Sequence, residues 1–486
     1  MAIPKVAEVV GKYLRRSNIN TPYLPYFEKV QEFLSWYRGS TEWHEYRRWN
    51  GQKRIKLKRY SLDMAKTVCE DLASLIGVEK LNITFQDKDA QKFVEGVFKE
   101  NSFKVNASQL FELMEALGTC AFVSSMQDGK IVIDYIHGDL IFPLKWDNGK
   151  ITECAFAIVG GDNENTDYQL IMHTIDEATG NYIIKRVNLD VNGEIARPSQ
   201  IADAMNGEVE EEEWDTKTNI PQFRVCKTNI VNNYDKTSPL GMSTFGNAID
   251  TLKSIDETFD SLHNEFSLGK KRIFIKSGLK AIRFEDEDSF KKSIYNQVDS
   301  NDVEFYQIDW AGEHEDKPPI YESNMTLRIA EHQQGLDMLV KLLGRKCGLG
   351  DGFYSFDGAS LGRTATEVIS ANSSLFRNIK KQELMVADAI IGLCRTILNM
   401  ANMNFGTTFD VDQEITIDFD DSIIEDTQKE KEQAMAEYNA GLIDQIEYFV
   451  LTRDMTREQA TDFVAKMKAT DTLKAVSSIM NFGSEF

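Results

Sequence analysis

The chain has 486 residues, with 55 Lys and Arg against 77 Asp and Glu, a formal net charge of −22 and a pI near 4.8. At about 150 residues per domain, this length suggests roughly three domains and an ample buried core. A hydrophobic share of 42% beside a charged share of 27% excludes wholesale disorder, and so acidic a chain is poorly suited to gripping nucleic acid, because phosphate affinity comes from Lys and Arg. The apolar clusters that stand out, such as 140–144, are far too short to span a bilayer, and no membrane partner is expected. The start, Met1 to Lys5, lacks the apolar stretch of a secretory signal. Six cysteines, at 69, 120, 154, 226, 347 and 394, form no CxxC pair and read as reduced thiols of a cytosolic setting.

In chain order, the first hundred residues read as helical. Phe27, Val30, Phe33 and Leu34 recur at helical spacing, as do Leu62, Ala65, Val68, Cys69, Leu72 and Leu75. Between them lies a basic stretch, 47–59, for which phosphate contact and a solvated face are equally open readings. The period then changes. Segments near 120–126, 130–136, 151–159, 168–175 and 182–189 are rich in Val, Ile, Phe and Tyr. They are punctuated by Asp128-Gly129, Asn148-Gly149, Gly180-Asn181 and Asn192-Gly193. Such pairs supply the positive φ that tight hairpins need, so an antiparallel meander is predicted, followed by an exposed acidic loop at 208–213.

The stripe Phe245, Ile249, Leu252, Ile255, Phe259, Leu262 and Phe266 predicts a helix of about 37 Å, with Asp250, Asp256, Glu257, Asp260 and Glu265 on its opposite face. Segments 270–276 and 303–308 look like strands of a small insertion closed by Pro318-Pro319, and a second helix carries Leu327, Ile329, Leu336, Leu339, Leu343 and Cys347. A loop with glycines at 348, 350, 352, 358 and 362 also bears Phe353, Tyr354 and Phe356. It opens into a helical pattern over 363–402, roughly 60 Å if unbroken. An alternating strand at 414–419 precedes a helical C-terminus, where Thr456 and Gln459 have capping-box spacing.

Three apparent chemistries do not hold together. Residues 358–362 match the nucleophile elbow of serine hydrolases, yet all six histidines (44, 137, 173, 263, 314, 332) precede Ser360, against the order Ser, acid, His. Asp418, Asp420 and Asp421 near Asp410, Asp412 and Glu414 suggest a Mg²⁺-dependent phosphodiesterase, but an acidic strand end on a very acidic chain is the preferred reading. Walker A spacing is absent, and the glycine loop is not GxGxxG because position 353 is Phe. No catalytic residue, metal or cofactor is expected.

Several stretches together resemble the portal proteins of tailed double-stranded DNA phages, particularly long-tailed phages of Gram-positive hosts. They are Trp36, Tyr37, Arg38 and Gly39 with Trp43; 64–75; 238–250 continuing through Asp260 to 264–273; 363–368; and 415–423. The resemblance implies an α+β portal architecture: a mixed wing (1–240 and 363–424), stem helices at 241–269 and 323–347, a small α/β clip at 270–322, a tunnel loop at 348–362 and an α-helical crown at 425–486. Family members form a ring, usually of twelve, at one capsid vertex. Through it the genome is packaged and ejected; they also dock the terminase large subunit and the head–tail adaptor, and meet the major capsid protein and scaffold. The expected location is the virion, with host cytoplasm during assembly. The resemblance puts Gly348, Gly350, Asp351, Gly352, Phe353, Tyr354, Phe356 and Gly358 in the tunnel loop. It makes Asp250, Glu257, Asp260 and Glu265 candidates for a negative channel lining, and Lys270, Lys271 and Arg272 candidates for clip docking. Another virion head or adaptor protein is the competing expectation.

Overall fold

The computed structural model describes residues 5–49, 53–77, 81–162, 165–195, 211–268, 272–276, 281–284, 292–295, 305–308, 320–323, 326–350, 352–354, 365–419 and 434–453, together with 457, 460, 461, 463 and 464. Helical periodicity builds an N-terminal layer of α1 (Lys5–Arg16), α2 (Phe27–Tyr37), α3 (Met64–Ile76), α4 (Lys88–Glu100) and α5 (Phe103–Leu117). Each buries one stripe; in α3, Val68, Leu72 and Ile76 recur every fourth residue and are buried. Gly77 and Gly118 follow α3 and α5 in the left-handed conformation that ends helices.

The basic stretch is not part of that helical run. It forms an antiparallel hairpin of β1 (Glu45–Trp49) and β2 (Arg54–Lys58), with Arg47 opposite Lys56 and Trp49 opposite Arg54 on an exposed face. After β3 (Asn82–Phe85), the predicted meander divides into two sheets. One has the order β11-β4-β5, from β4 (Thr119–Gln127), β5 (Lys130–His137) and β11 (Phe223–Lys227). The other, β10-β9-β8-β7-β6, contains β6 (Ile141–Asp147), β7 (Lys150–Asp162), β8 (Asn165–Ile175), β9 (Tyr182–Leu189) and β10 (Glu211–Asp215). At Asp128-Gly129 and Asn148-Gly149 both central residues have positive φ (49° and 73°, 48° and 75°), the type I′ geometry whose twist matches the flanking strands. The expected acidic loop is corrected here. Glu211, Glu212 and Glu213 pair with β9, and Glu212 meets Arg186 at 3.3 Å, while 208–210 lie outside the described residues.

Helix α6 (Ile249–Leu268) and helix α7 (Ile329–Lys346) pack together. The segment between them supplies β12 (Arg272–Lys276), β13 (Ala281–Phe284), β14 (Lys292–Tyr295), β15 (Phe305–Ile308) and β16 (Ile320–Ser323). β12 is central, parallel to β15 and antiparallel to β16, and β13 pairs β14. Pro318-Pro319 lies outside the described residues. Helix α8 (Ala365–Phe405) is one element of 41 residues, and β17 (Ile415–Asp418) closes antiparallel on β3 before α9 (Gln445–Arg453).

Two cores result. The first joins α1, α2 and α3 to the five-stranded sheet and the start of α6; Phe27 stacks on Phe142 at 5.0 Å there. The second is built from α4, α5, β4, β5, α8 and β17. Helix α8 departs from the short apolar clusters on which the membrane expectation rested. Its stretch Ser374–Phe405 is long and apolar enough, by length and composition, to cross a bilayer. Val386, Ile390, Leu393, Ile397 and Leu398 are instead buried in the second core, as in the core helix of a globular protein. All six cysteines are buried and unbridged.

Candidate functional site

The paired helices and the glycine loop after them carry most of the residues singled out by the sequence. In α6 burial fades along the stripe: Phe245, Ile249, Leu252 and Ile255 are buried, Phe259 and Leu262 half-buried, and Phe266 is 49% exposed. In α7, Leu336, Val340 and Leu343 are buried, while Met338 is 70% exposed and Leu342 lies open beside it. The helices run antiparallel, since Lys346 Nζ donates to Thr251 Oγ1 at 2.9 Å near one end and Arg328 meets Glu265 at the other.

The four carboxylates of α6 singled out by the sequence have different surroundings. Asp250 has a side chain 93% exposed, 3.1 Å from Lys253 Nζ, and Glu257 is exposed two turns further on. With Asn247, Ser254 and Ser261 they make one exposed polar stripe free of apolar side chains. Asp260 accepts from the Tyr60 N–H at 3.1 Å and from Asn264 Nδ2 at 3.0 Å. Glu265 clasps the start of α7, accepting from Arg328 Nε at 3.1 Å, Nη2 at 2.9 Å and the backbone N–H at 3.2 Å, with His332 Nε2 3.8 Å away. The Arg328 hydrogen bonds hold its carboxyl down to about 2.

Asp256 is not on the exposed face with the other carboxylates, as the sequence reading had it. It is buried and accepts from His44 Nε2 at 2.8 Å, Ser61 Oγ at 3.0 Å and the Leu62 N–H at 2.9 Å, pinning the residues around the basic hairpin to the base of α6. The signal was present in the spacing: position 256 is four after Leu252 and one after Ile255, inside the apolar stripe. Just before α6, Thr244 donates through Oγ1 to Glu115 Oε2 and through N–H to the Glu115 carbonyl at 3.0 Å. Glu115 is buried, its Oε1 has no hydrogen-bond partner, and desolvation pushes its carboxyl up to about 7.

Gly348 and Gly350, directly after α7, have positional roles. Leu349 N–H bonds to Gly344 O at 2.8 Å and Gly348 N–H to Arg345 O at 3.3 Å, a Schellman cap with Gly348 at φ 80°. A Cβ on Gly348 would lie 2.5 Å from Asn378 Nδ2 of α8. Gly350 also has positive φ, 87°, and its carbonyl oxygen would be 2.8 Å from a Cβ on Gly344. Gly348→Ala is therefore expected to lower stability by about 1–2 kcal/mol, from the left-handed backbone alone, with thermal unfolding as the check. Tyr354 donates to Asp71 Oδ2, Phe353 lies edge-on to it with centroids 5.0 Å apart, and Gly352 is exposed. Asp351, Phe356 and Gly358 lie outside the described residues, as do Lys270, Lys271, Ser360, Thr456, Gln459, Asp420 and Asp421; Arg272 opens β12. Among the described residues no group of three or more His, Cys, Asp or Glu side chains is placed to hold a metal ion.

A family model described as "Phage portal protein, SPP1 Gp6-like" matches residues 19–469. No curated protein matches the chain.

Proposed function

Since the chain belongs to the SPP1 Gp6-like family of phage portal proteins, a structural family of the virion capsid, we propose that its copies close into a ring, twelve being the usual number in the family. In this reading double-stranded DNA passes through the ring at one capsid vertex during packaging and ejection. Helices α6 and α7 are the stem, and 270–322 is the clip, which docks the terminase large subunit and later the head–tail adaptor, with Lys270, Lys271 and Arg272 contributing. Residues 348–362 narrow the channel, 425–486 form the crown, and the remaining sheets and helices form the wing, which meets the major capsid protein and scaffold.

The family match over 19–469 carries this reading, and the helix pair supports it. A duplex has to slide, so adhesive contacts are harmful and negative charge on the wall keeps phosphates off, screened over about 10 Å at 0.1 M salt. Asp250 and Glu257, exposed on one polar stripe, suit that wall. Asp260 and Glu265 spend their oxygens on contacts within the chain and contribute less. The exposed Met338, Leu342 and Phe266 are apolar surface for neighbouring copies to cover. Electron microscopy of the purified protein tests the reading. Rings with a central hole wide enough for B-form DNA are expected, and a compact monomer at every concentration would overturn it.

A further inference from the structure

A cleft of about 620 Å³ lies where β11, the turn between β6 and β7, and the second half of α8 meet. Arg224 and Lys227 reach it from β11, and Arg395 from α8. Lys227 Nζ is held by the carbonyls of Gly149 at 3.0 Å and Pro239 at 3.4 Å. Neither arginine side chain makes a hydrogen bond or ion pair among the described residues, and the Nε atoms of both are buried without a partner. The exposed carboxylate at the rim, Asp388, attracts Arg224 but makes no ion pair with either arginine among the described residues. Burial disfavours the Arg224 charge more than Tyr182 and Asp388 compensate, and Arg395 adds repulsion, so two guanidiniums beside an ammonium remain incompletely bonded on a chain with 77 acidic residues.

The sequence yields helix stability to keep Arg224 there. Gly392 sits mid-helix in α8, where glycine costs about 1 kcal/mol relative to alanine. A Cβ on it would lie 2.5 Å from Arg224 Nε and 2.6 Å from Cδ. The glycine lets Arg224 lie across the helix into the cleft. Pro221, Met385 and Ile391 interleave with the cations, a lining suited to a peptide segment with apolar neighbours more than to a free ion.

We propose that this cleft receives an acidic segment of a second copy of the chain, whose carboxylates complete the bonding of Arg224 and Arg395. Charge complementarity with a subunit of net charge −22 selects that occupant. The inference rests on the ring reading, which brings a second copy alongside.

The test compares ring dissociation of the full chain with that of two variants by mass photometry across a salt series. Arg224→Gln/Arg395→Gln is expected to raise the dissociation concentration at least tenfold, as the loss of charge-assisted hydrogen bonds implies. Gly392→Ala, which improves the helix while displacing Arg224, is expected to weaken assembly in the same direction while the monomer unfolds at no lower a temperature. Exchanging chloride for phosphate at equal ionic strength should weaken wild-type rings and leave the double variant unchanged. Variants that assemble as the wild type does would overturn the proposal. So would intact wild-type rings that bind phosphate at the cleft with undiminished stability. Failure of the wild type itself to form rings would instead sink the ring reading.

Discussion

Replacing Glu115 by Gln should flatten the pH dependence of stability between about pH 4 and pH 8. The difference in unfolding free energy between variant and wild type is expected to grow by about 3 kcal/mol in the variant's favour between about pH 4 and pH 8. The folded protein holds the Glu115 proton up to about 7, whereas the ordinary value is 4.5. Across that window the native state binds a proton that the unfolded chain has released, so wild-type stability falls as pH rises from 4.5 and has lost the whole amount above 7. Gln keeps an oxygen for Thr244 Oγ1 and carries no charge to desolvate. Its amide nitrogen inherits the unpartnered place of Oε1, a constant offset that cancels between the two pH values. Denaturant unfolding at both pH values measures the effect, and a gap independent of pH would refute the assignment.

Asp256→Ala should cost about 3–5 kcal/mol. Asp256 and His44 have side chains only 4% and 1% exposed, and the substitution strands the buried His44 ring nitrogen and takes the acceptor from the half-buried Ser61 hydroxyl and Leu62 N–H. Asp256→Asn retains one acceptor oxygen and should cost less. The denaturant midpoint gives the magnitude. Limited proteolysis gives the location: cleavage at the β1–β2 hairpin should accelerate before cleavage elsewhere, because this carboxylate holds His44, Ser61 and Leu62, on both sides of the hairpin, to α6, leaving Tyr60 on Asp260 as a weaker tie. Uniform acceleration along the chain would mean that the latch is not local.

Helical stripes were legible because their apolar residues lie in one chain segment and need no partner to be recognised: Phe27 to Leu34, Leu62 to Leu75, and Leu375 to Leu398 in α8. The turns at 128–129 and 148–149 were legible because few residue pairs adopt consecutive positive φ. The hairpin at 45–58 escaped because its cations dominate the reading: β2 does alternate Ile55 and Leu57 with Arg and Lys, but β1 breaks the alternation at Arg47-Arg48. Strand β10 escaped likewise, its Glu residues belonging to solvent while its backbone belongs to β9. Gly348 and Gly350 stood out only as part of a glycine-rich loop, and the hydrogen bonds to the end of α7 and the packing of Asn378 that fix Gly348 in place could not be read from the sequence. Arg224, Gly392 and Arg395 were invisible as a group, because only the docking of α8 on β11 brings them together.

The pairing of β17 with β3 sets an order of events on the ribosome. Phe85 finds its partner only when Ile415 has been synthesised, so the second core stays open while everything between those strands emerges. Translation that stops short of Ile415 leaves β3 with a bare edge. Such truncated products are the species from which aggregation should start.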